Sequence, residues 1–475
     1  MRRVVVAGAG PAGMAAALAA AERGARVTLV DGEARLGGQY WRRPAPGAEG
    51  FASGSGHREA RFRALASRIE RDGRIERLLR TDVWAIEARR GEGVRLRLLQ
   101  GEPDGPGRRE RLLRADRLVL ACGAHDRTLP FPGWTLPGVT TGGAAQAFLA
   151  REGLAIGERV VVGGAGPFLL PVALGLAAAG ARVLGVHEAA GPRLLAAWLA
   201  RPWELPAAGG KALELAQLAA GMARHRIPYR PGSAVVAAHG RGRVEAVTLA
   251  RLDARWRPVP GTARRVACDA VCVSHGFSPR LELAVAAGCS LRGGFVRVDE
   301  GMRTDAAGVY AAGEVTGVGG AVLAEAEGRI AGHCAAGGRL RDARIRTARR
   351  VRASGIRFAA RLERVHAPRP GWPQWLREDT TVCRCEGTSY GRLREVAEAC
   401  GSEGTVSLKL LSRAGLGPCQ GRICGPVLAQ LLAGSGAGAQ AAGAGMQGRP
   451  LAVPLRLGEL AEAEAGPGPD APDEG

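Results

Sequence analysis

One pattern, written twice, constrains this chain more than anything else in it. Residues 2–31 read RRVVVAGAGPAGMAAALAAAERGARVTLVD: an apolar strand from Val4 to Ala7, a turn at Gly8, Gly10 and Gly13, an alanine-rich helix running toward Gly24, and a second strand closed by Asp31. Each part has a physical role. Gly8 permits the turn, Gly10 lets backbone N–H groups approach a pyrophosphate at the helix N-terminus, and Gly13 allows helix and strand to pack closely. Asp31 stands where a carboxylate accepts both hydroxyls of a ribose. Strand, helix and acid in this order predict a dinucleotide-binding unit.

Residues 159–188, RVVVGGAGPFLLPVALGLAAAGARVLGVHE, repeat the plan with Gly164 and Gly166. The third glycine position holds Leu169, which predicts a helix pushed slightly outward from its strand. Glu188 comes one residue later relative to its turn than Asp31 does, so His187 falls where the ribose-binding acid is expected. Two outcomes stay open for this copy: a site for NAD or another adenosine nucleotide, or a vestigial structural domain. No arginine immediately follows Glu188, which disfavours NADP.

Two downstream stretches bear on the ligand of the first fold. RLVLACGAHDRTLPFPGW runs an apolar strand into a turn at Gly123, and TDAAGVYAAGEVTGVGGA ends another strand at Gly313 and Glu314. Both resemble the second and third flavin motifs of flavoproteins with two dinucleotide-binding domains, and the resemblance implies FAD. In that family the acid of the third motif approaches the ribityl chain or the pyrophosphate; here it is Glu314 where aspartate is commoner. GGQYWRR at 37–43, with Gly38 and Gln39, sits where the family passes its chain beside the flavin.

The ten cysteines divide into two groups. Cys383 and Cys385 stand in TVCRCEG, Cys419 and Cys424 in GPCQGRICG. Four thiolates suit a 2Fe–2S cluster, and glycine-rich turns expose N–H groups that hydrogen-bond the sulfurs. Zinc also accepts four thiolates, although C-x-C is uncommon in structural zinc sites and a cluster has an electron partner in the flavin. Between the pairs, SYGRLREVAEAC reads as a helix and TVSLKLLSR as strand-like. Cys122, Cys268, Cys272, Cys289, Cys334 and Cys400 read as buried small hydrophobes.

With LPFPGWTLPGVTTGGAAQ, the GAGPFLLPVALGL variant of the second fingerprint and the CRC…GPCQGRIC module, the chain resembles along nearly its whole length the FAD-containing α subunits of heteromeric amine and imino-acid dehydrogenases. The C-terminal module is similar to bacterioferritin-associated ferredoxin, from whose C-x2-C second pair the C-x4-C here departs. The resemblance implies an α/β fold: a Rossmann-like FAD domain, an inserted second Rossmann-like domain and a small 2Fe–2S module. It also implies a partner, namely a D-amino-acid-oxidase-like, FAD-containing β subunit, with room for a small third subunit. That partner would remove a hydride from a secondary amine, amino acid or imino acid, and this chain would relay the electrons through its cluster and FAD.

The expected divisions are 1–150 and 269–337 for the FAD domain, 151–268 for the inserted fold, 338–377 for an arginine-rich helical connector, 378–434 for the cluster module and 435–475 for linker and tail. Within the last, GSGAGAQAAGAG reads as a flexible linker, RPLAVPLRLGELA as a segment that packs back, and GPGPDAPDEG as a disordered end. A formal charge of +21 raises the question of nucleic acid. Of 66 basic residues, however, only Lys211 and Lys409 are lysine, the rest being arginine scattered among alanine, glycine and proline. That pattern reads as coding bias and a solvated basic surface, with no nucleic-acid partner, though it could steer an acidic partner protein. Neither a signal peptide nor a membrane span is read, and a cytoplasmic location is expected.

No constellation of catalytic side chains is visible. His125 and Asp126 follow the second flavin motif, either as a proton relay or as satisfied loop residues. Three functional classes remain: a self-sufficient NAD(P)H-dependent oxidoreductase using the second fold, a zinc-stabilised scaffold with an idle flavin, and an electron-relaying subunit.

Overall fold

The computed structural model describes residues 1–44, 56–89, 93–103, 105–198, 209–400, 405–434 and 451–465. The two fingerprint segments each become the centre of a five-stranded parallel sheet. In the first the order is Val309–Ala311, Arg117–Leu120, Arg3–Ala7, Arg26–Val30 and Ile75–Leu78. In the second it is Val139–Thr141, Ala270–Ser274, Arg159–Gly164, Arg182–Glu188 and Tyr229–Pro231. The two sheets share four strands in the same order, while the fifth, Val309–Ala311, comes last in the chain order of the first sheet and its counterpart Val139–Thr141 first in that of the second. Two strands of the second, the edge strand Val139–Thr141 and its neighbour Ala270–Ser274, lie outside residues 151–268.

Runs such as Val4–Val6 and Val160–Val162 are buried, as strands covered on both faces must be. The helix Pro11–Ala21 is apolar all round for a second reason. It lies between its sheet and the helix Ala321–Ala335, against which the two backbones nearly touch. A Cβ on Gly328 would stand 2.0 Å from the Ala12 carbonyl oxygen, and one on Gly332 2.0 Å from that of Ala16. Only small residues fit such a crossing.

The chain passes between the two folds through a two-stranded antiparallel ribbon, Ala124–Asp126 against Phe277–Pro279, with His125 opposite Ser278. Antiparallel three-stranded sheets flank each fold: Thr81–Arg89, Gly93–Gln100 and Arg109–Ala115 beside the first, Ser233–His239, Ala246–Arg251 and Arg264–Ala267 beside the second. The arginine-rich connector is a helix, Arg346–His366, as expected.

The C-terminal module contains a short ribbon, Thr381–Cys383 with Thr388–Ser389, and the helices Tyr390–Cys400, Thr405–Ser412 and Gly425–Gly434. TVSLKLLSR was expected to be strand-like and is helical instead. Its apparent alternation gives way because Leu408 and Ser412, four residues apart, are the buried pair, while Val406, Leu410 and Leu411 face outward. The module has no separate core. Val382, Leu393, Leu408 and Leu428 share one cluster with Trp372, Trp375 and the second fold's Trp256 and Ala165. Trp256 and Trp375 stack with centroids 6.3 Å apart.

Residues 451–465 pack back onto the first fold. The Ala452 amide donates to the Trp84 carbonyl, and Val453, Leu455 and Leu460 cover Trp84 and Leu99. The glycine-alanine linker and the final GPGPDAPDEG lie outside the described residues. Among the described residues no helix is long and apolar enough to cross a membrane.

Candidate functional site

At the first turn, Gly8 has φ +106°, and a Cβ there would lie 2.3 Å from the Ala121 carbonyl oxygen. A Cβ on Gly13 would stand 1.7 Å from the carbonyl oxygen of Gly8 itself. Around Gly10, by contrast, nothing lies within 4 Å of the Cβ direction, and the helix begins immediately after it at Pro11. Gly38 approaches from the opposite side, where a Cβ would come 2.9 Å from the Gly10 Cα. Asp31 accepts from the Ala9 amide at 2.5 Å and the Glu33 amide at 2.8 Å. Burial raises its pKa and these two N–H bonds oppose the rise.

Gly123 follows the strand Arg117–Leu120, faces open space, and accepts from the Arg280 amide through its carbonyl. Gly313 donates to Glu327 Oε2 at 3.0 Å. The same buried carboxylate accepts from the Thr316 hydroxyl at 2.8 Å and from Arg352 Nε of the connector helix at 3.3 Å. Glu327 thus holds the third motif's turn, a role no sequence motif marks. Glu314 is pushed up to about 7 by burial. Gln39 donates to Glu33 Oε1 at 3.5 Å and accepts from Arg42. Nearby, Trp41 Nε1 and Arg42 Nε are buried donors without a protein partner among the described residues. Open space over Gly10 and Gly123 and two unsatisfied donors are what a polar, phosphate-bearing ligand such as FAD would fill.

In the second fold the pairing register shifts between Val160 and Val161: Val160 lies opposite Val183 and Val161 opposite Gly185. The bulge absorbs the additional residue, so Gly164 ends opposite Glu188. This corrects the expectation for His187. It is Glu188 that takes the acid's position, while His187 turns to Ser233 Oγ at 2.9 Å and is held down to about 4 by burial. A Cβ on Gly164 would stand 1.8 Å from the Ser274 carbonyl oxygen, repeating the packing of Gly8, and Gly166 faces open space. Leu169 cannot repeat Gly13. The regular helix of this copy begins only at Leu169, two residues later than in the first.

The four motif cysteines come together from two loops. Cys383 and Cys424 are buried, Cys419 is half-buried and Cys385 is exposed. Their thiols touch in a chain, Cys383 with Cys424, Cys424 with Cys419, and Cys419 with Cys385. Contact with Cys424 lowers Cys383 to about 6 and Cys419 to about 4, while Cys424 is pushed up. Backbone N–H groups point at the sulfurs: Gly415 at Cys383 at 3.4 Å, Ile423 and Gly421 at Cys419. Among the described residues no group of three or more His, Cys, Asp or Glu side chains is drawn together closely enough to hold a metal ion. Paired thiols in an N–H cradle fit a 2Fe–2S cluster, which divides its ligands between two irons. Of the other cysteines, Cys268, Cys272, Cys289 and Cys334 are buried; Cys122 is half-buried, its thiol raised to about 12 by loss of solvent. The Cys400 side chain lies outside the described residues.

The loop between Cys419 and Cys424 is pinned to the ribbon of Ala124–Asp126 and Phe277–Pro279. His125 Nε2 lies 3.1 Å from the Arg422 carbonyl oxygen, and Arg422 donates to Glu282 at 2.5 Å and to the Ala452 carbonyl. Asp126 points elsewhere, accepting from the Ser274 hydroxyl at 2.9 Å and the Gly143 amide at 2.7 Å. His125 and Asp126 are therefore satisfied separately and form no relay with each other.

The profile of the family described as "Pyridine nucleotide-disulphide oxidoreductase" matches residues 2–331. The HcnB subunit of hydrogen cyanide synthase from Pseudomonas protegens is 32% identical, over 88% of this chain and 89% of its own length. The A subunit of opine oxidase from Rhizobium meliloti is 32% identical, over 97% of this chain and 87% of its own length. Among solved structures, L-proline dehydrogenase from P. horikoshii shares the fold with a TM-score of 0.61 at 20% identity, covering 97% of this chain and 79% of that one.

Proposed function

Because the chain belongs to the pyridine nucleotide-disulphide oxidoreductase family of FAD-dependent enzymes, we propose that it is the FAD- and 2Fe–2S-bearing subunit of a heteromeric enzyme oxidising a secondary amine, amino acid or imino acid. Opines, D-hydroxyproline and glycine-like compounds are the substrate class. The observation that carries this reading is the 3.1 Å junction between His125 on the flavin-side ribbon and the Arg422 peptide inside the second cysteine loop.

Gly8, Gly10, Gly13, Asp31, Gly38, Gln39, Gly123, Gly313 and Glu314 would hold the flavin, and Cys383, Cys385, Cys419 and Cys424 the cluster. Bound there, FAD supplies two-electron chemistry and the cluster one-electron transfer. The residues of the chain orient and insulate these groups. Gly10 and Gly38 close the cradle, Glu327 holds the third motif, and the N–H groups of Gly415, Gly421 and Ile423 stabilise negative charge on sulfur. His125 and Asp126 are committed to structural partners. Bond breaking at the amine is assigned to a partner, a D-amino-acid-oxidase-like FAD subunit, with or without a small third subunit. That the relatives are named as subunits supports such an assembly. A cytoplasmic location belongs to the same reading.

A second reading, direct reduction by NAD(P)H, draws on the register that brings Glu188 opposite Gly164. An anaerobic visible and EPR titration of the chain purified alone separates the two. NADH is expected to leave both centres oxidised, and dithionite to produce a reduced 2Fe–2S signal together with iron and acid-labile sulfide. Bleaching by NADH within turnover time would install the second reading. Zinc without iron or sulfide would leave a scaffold.

A further inference from the structure

The two folds carry the same carboxylate device in opposite states. Asp31 in the first is bonded to the amides of Ala9 and Glu33 and stays partly open to solvent. Glu188 in the second is bonded to the amides of Gly166 and Ala190, both at 2.9 Å, and is 1% exposed. The bonding pattern is similar: each acid accepts from one amide of its own glycine turn, Asp31 from Ala9 and Glu188 one position further on from Gly166, and from the amide two residues downstream of itself. What differs is what lies on top.

Over Glu188 sits the end of the connector helix Arg346–His366. His366 Nδ1 lies 3.4 Å from Glu188 Oε1, and His366 Nε2 accepts from Trp198 Nε1 at 3.3 Å. Because Nε2 accepts, the ring proton belongs on Nδ1 and is directed at the carboxylate. The arrangement is braced from the same helix: Phe358 packs on Trp198 at 5.3 Å, and Arg361 lies over its ring at 5.8 Å and donates to its carbonyl at 3.3 Å. Tyr229 adds a further contact to Glu188 through its hydroxyl. Donors from the chain itself, His366 of the connector helix and Tyr229 of the strand Tyr229–Pro231, thus occupy the acceptor positions that a ribose diol would use. The pyrophosphate side is altered independently, since the helix that should begin beside Gly166 begins at Leu169.

We infer that His366 locks the second dinucleotide fold, so that this fold serves as a seat for the connector and excludes adenosine nucleotides, NADH included. His366 is a specificity-determining residue, deciding that electrons do not enter this chain from a nicotinamide. The inference stands whether or not a cluster is bound at the cysteines, because it rests on the ribose corner alone.

Calorimetric titration of the FAD-loaded full-length chain with ADP-ribose and with NADH tests it. Wild type is expected to take up neither ligand at millimolar concentration. His366→Ala is expected to gain saturable ADP-ribose binding, and addition of Glu188→Gln to that variant to weaken it by roughly tenfold or more, the loss of one charged hydrogen-bond acceptor. Saturable binding to wild type that Glu188→Gln weakens would overturn the proposal. So would a His366→Ala chain that retains its flavin and melts as wild type does yet binds nothing. Should His366→Ala lose its flavin, His366→Ser replaces it in the comparison, and the wild-type arm decides without any variant. Iron content, measured on the same samples, keeps this result separate from the fate of the cluster reading.

Discussion

At the residue scale, the three glycines of the first turn are not equivalent, and substitution should separate them. A Cβ on Gly13 meets backbone at 1.7 Å, which cannot yield. Gly13→Ala should therefore purify with most of its flavin missing and a lowered melting temperature. A Cβ on Gly10 meets nothing, and its φ of −75° suits alanine. Gly10→Ala should keep wild-type stability to within about 0.5 kcal/mol, while flavin affinity falls roughly tenfold as the methyl enters the phosphate space. The ratio of flavin to protein absorbance after dialysis checks both. For the cysteines, Cys383→Ser should abolish the cluster's EPR signal and iron content and leave that flavin ratio unchanged, because the thiols and the flavin cradle lie on different elements. These positions were legible in advance since each motif states its own geometry. Glu327 and Arg422 were not: Glu327 acts on a turn 14 residues before it through no recognised spacing, and Arg422 depends on a carboxylate 140 residues away.

Elements explain how the module is held in place. Three segments remote in sequence converge on the loop between Cys419 and Cys424: the ribbon through His125, the helix Glu282–Ala286 through Glu282, and the C-terminal segment through Ala452. Arg422→Ala removes two of these anchors while sparing every cysteine. Expected are a full complement of iron, faster amide exchange across 419–424, and slower electron equilibration between flavin and cluster after photoreduction. The segment 451–465 is in turn fastened by Arg108 and Glu459, whose two bonds measure 2.8 Å with side chains only 7% and 10% exposed. Arg108→Ala removes the two-bonded partner of that carboxylate, leaving it the Arg456 amide and charge, and should cost about 1 kcal/mol of local stability. Hydrogen exchange of the 451–465 amides is the measurement; unchanged protection would show that apolar packing on Trp84 suffices. The helix Thr405–Ser412 shows where element-level reading fails, since its period-2 pattern is overridden by packing of Leu408 into the tryptophan cluster.

For the whole molecule, that tryptophan cluster joins the second fold to the cysteine module, and a buried imidazole lies against it. His275 is packed against Trp256 and Trp375 and is driven down to about 3 by burial, with the Arg127 charge adding to the effect. The folded state keeps it neutral while the unfolded chain takes up a proton near pH 6.5, so its contribution to stability is complete above that pH and drains away on acidification. The loss should approach about 1.4 kcal/mol per pH unit from roughly pH 6.5 toward 3. Denaturant unfolding at a series of pH values checks this, and His275→Phe should flatten the slope by the equivalent of one proton. From the sequence alone came the two dinucleotide folds, the flavin motifs, the four paired cysteines and the helical connector, because strand–glycine–helix runs and thiol spacings are local and carry their chemistry with them. Only the tertiary structure decided that a bulge at Val160 and Val161 returns Glu188 to its position, that the last residue of the helix Arg346–His366 then covers it, and that Arg422 ties the cysteines to the ribbon through His125. Each of these joins groups far apart in the chain or depends on strand register, and neither propensity nor spacing encodes such contacts; close packing does.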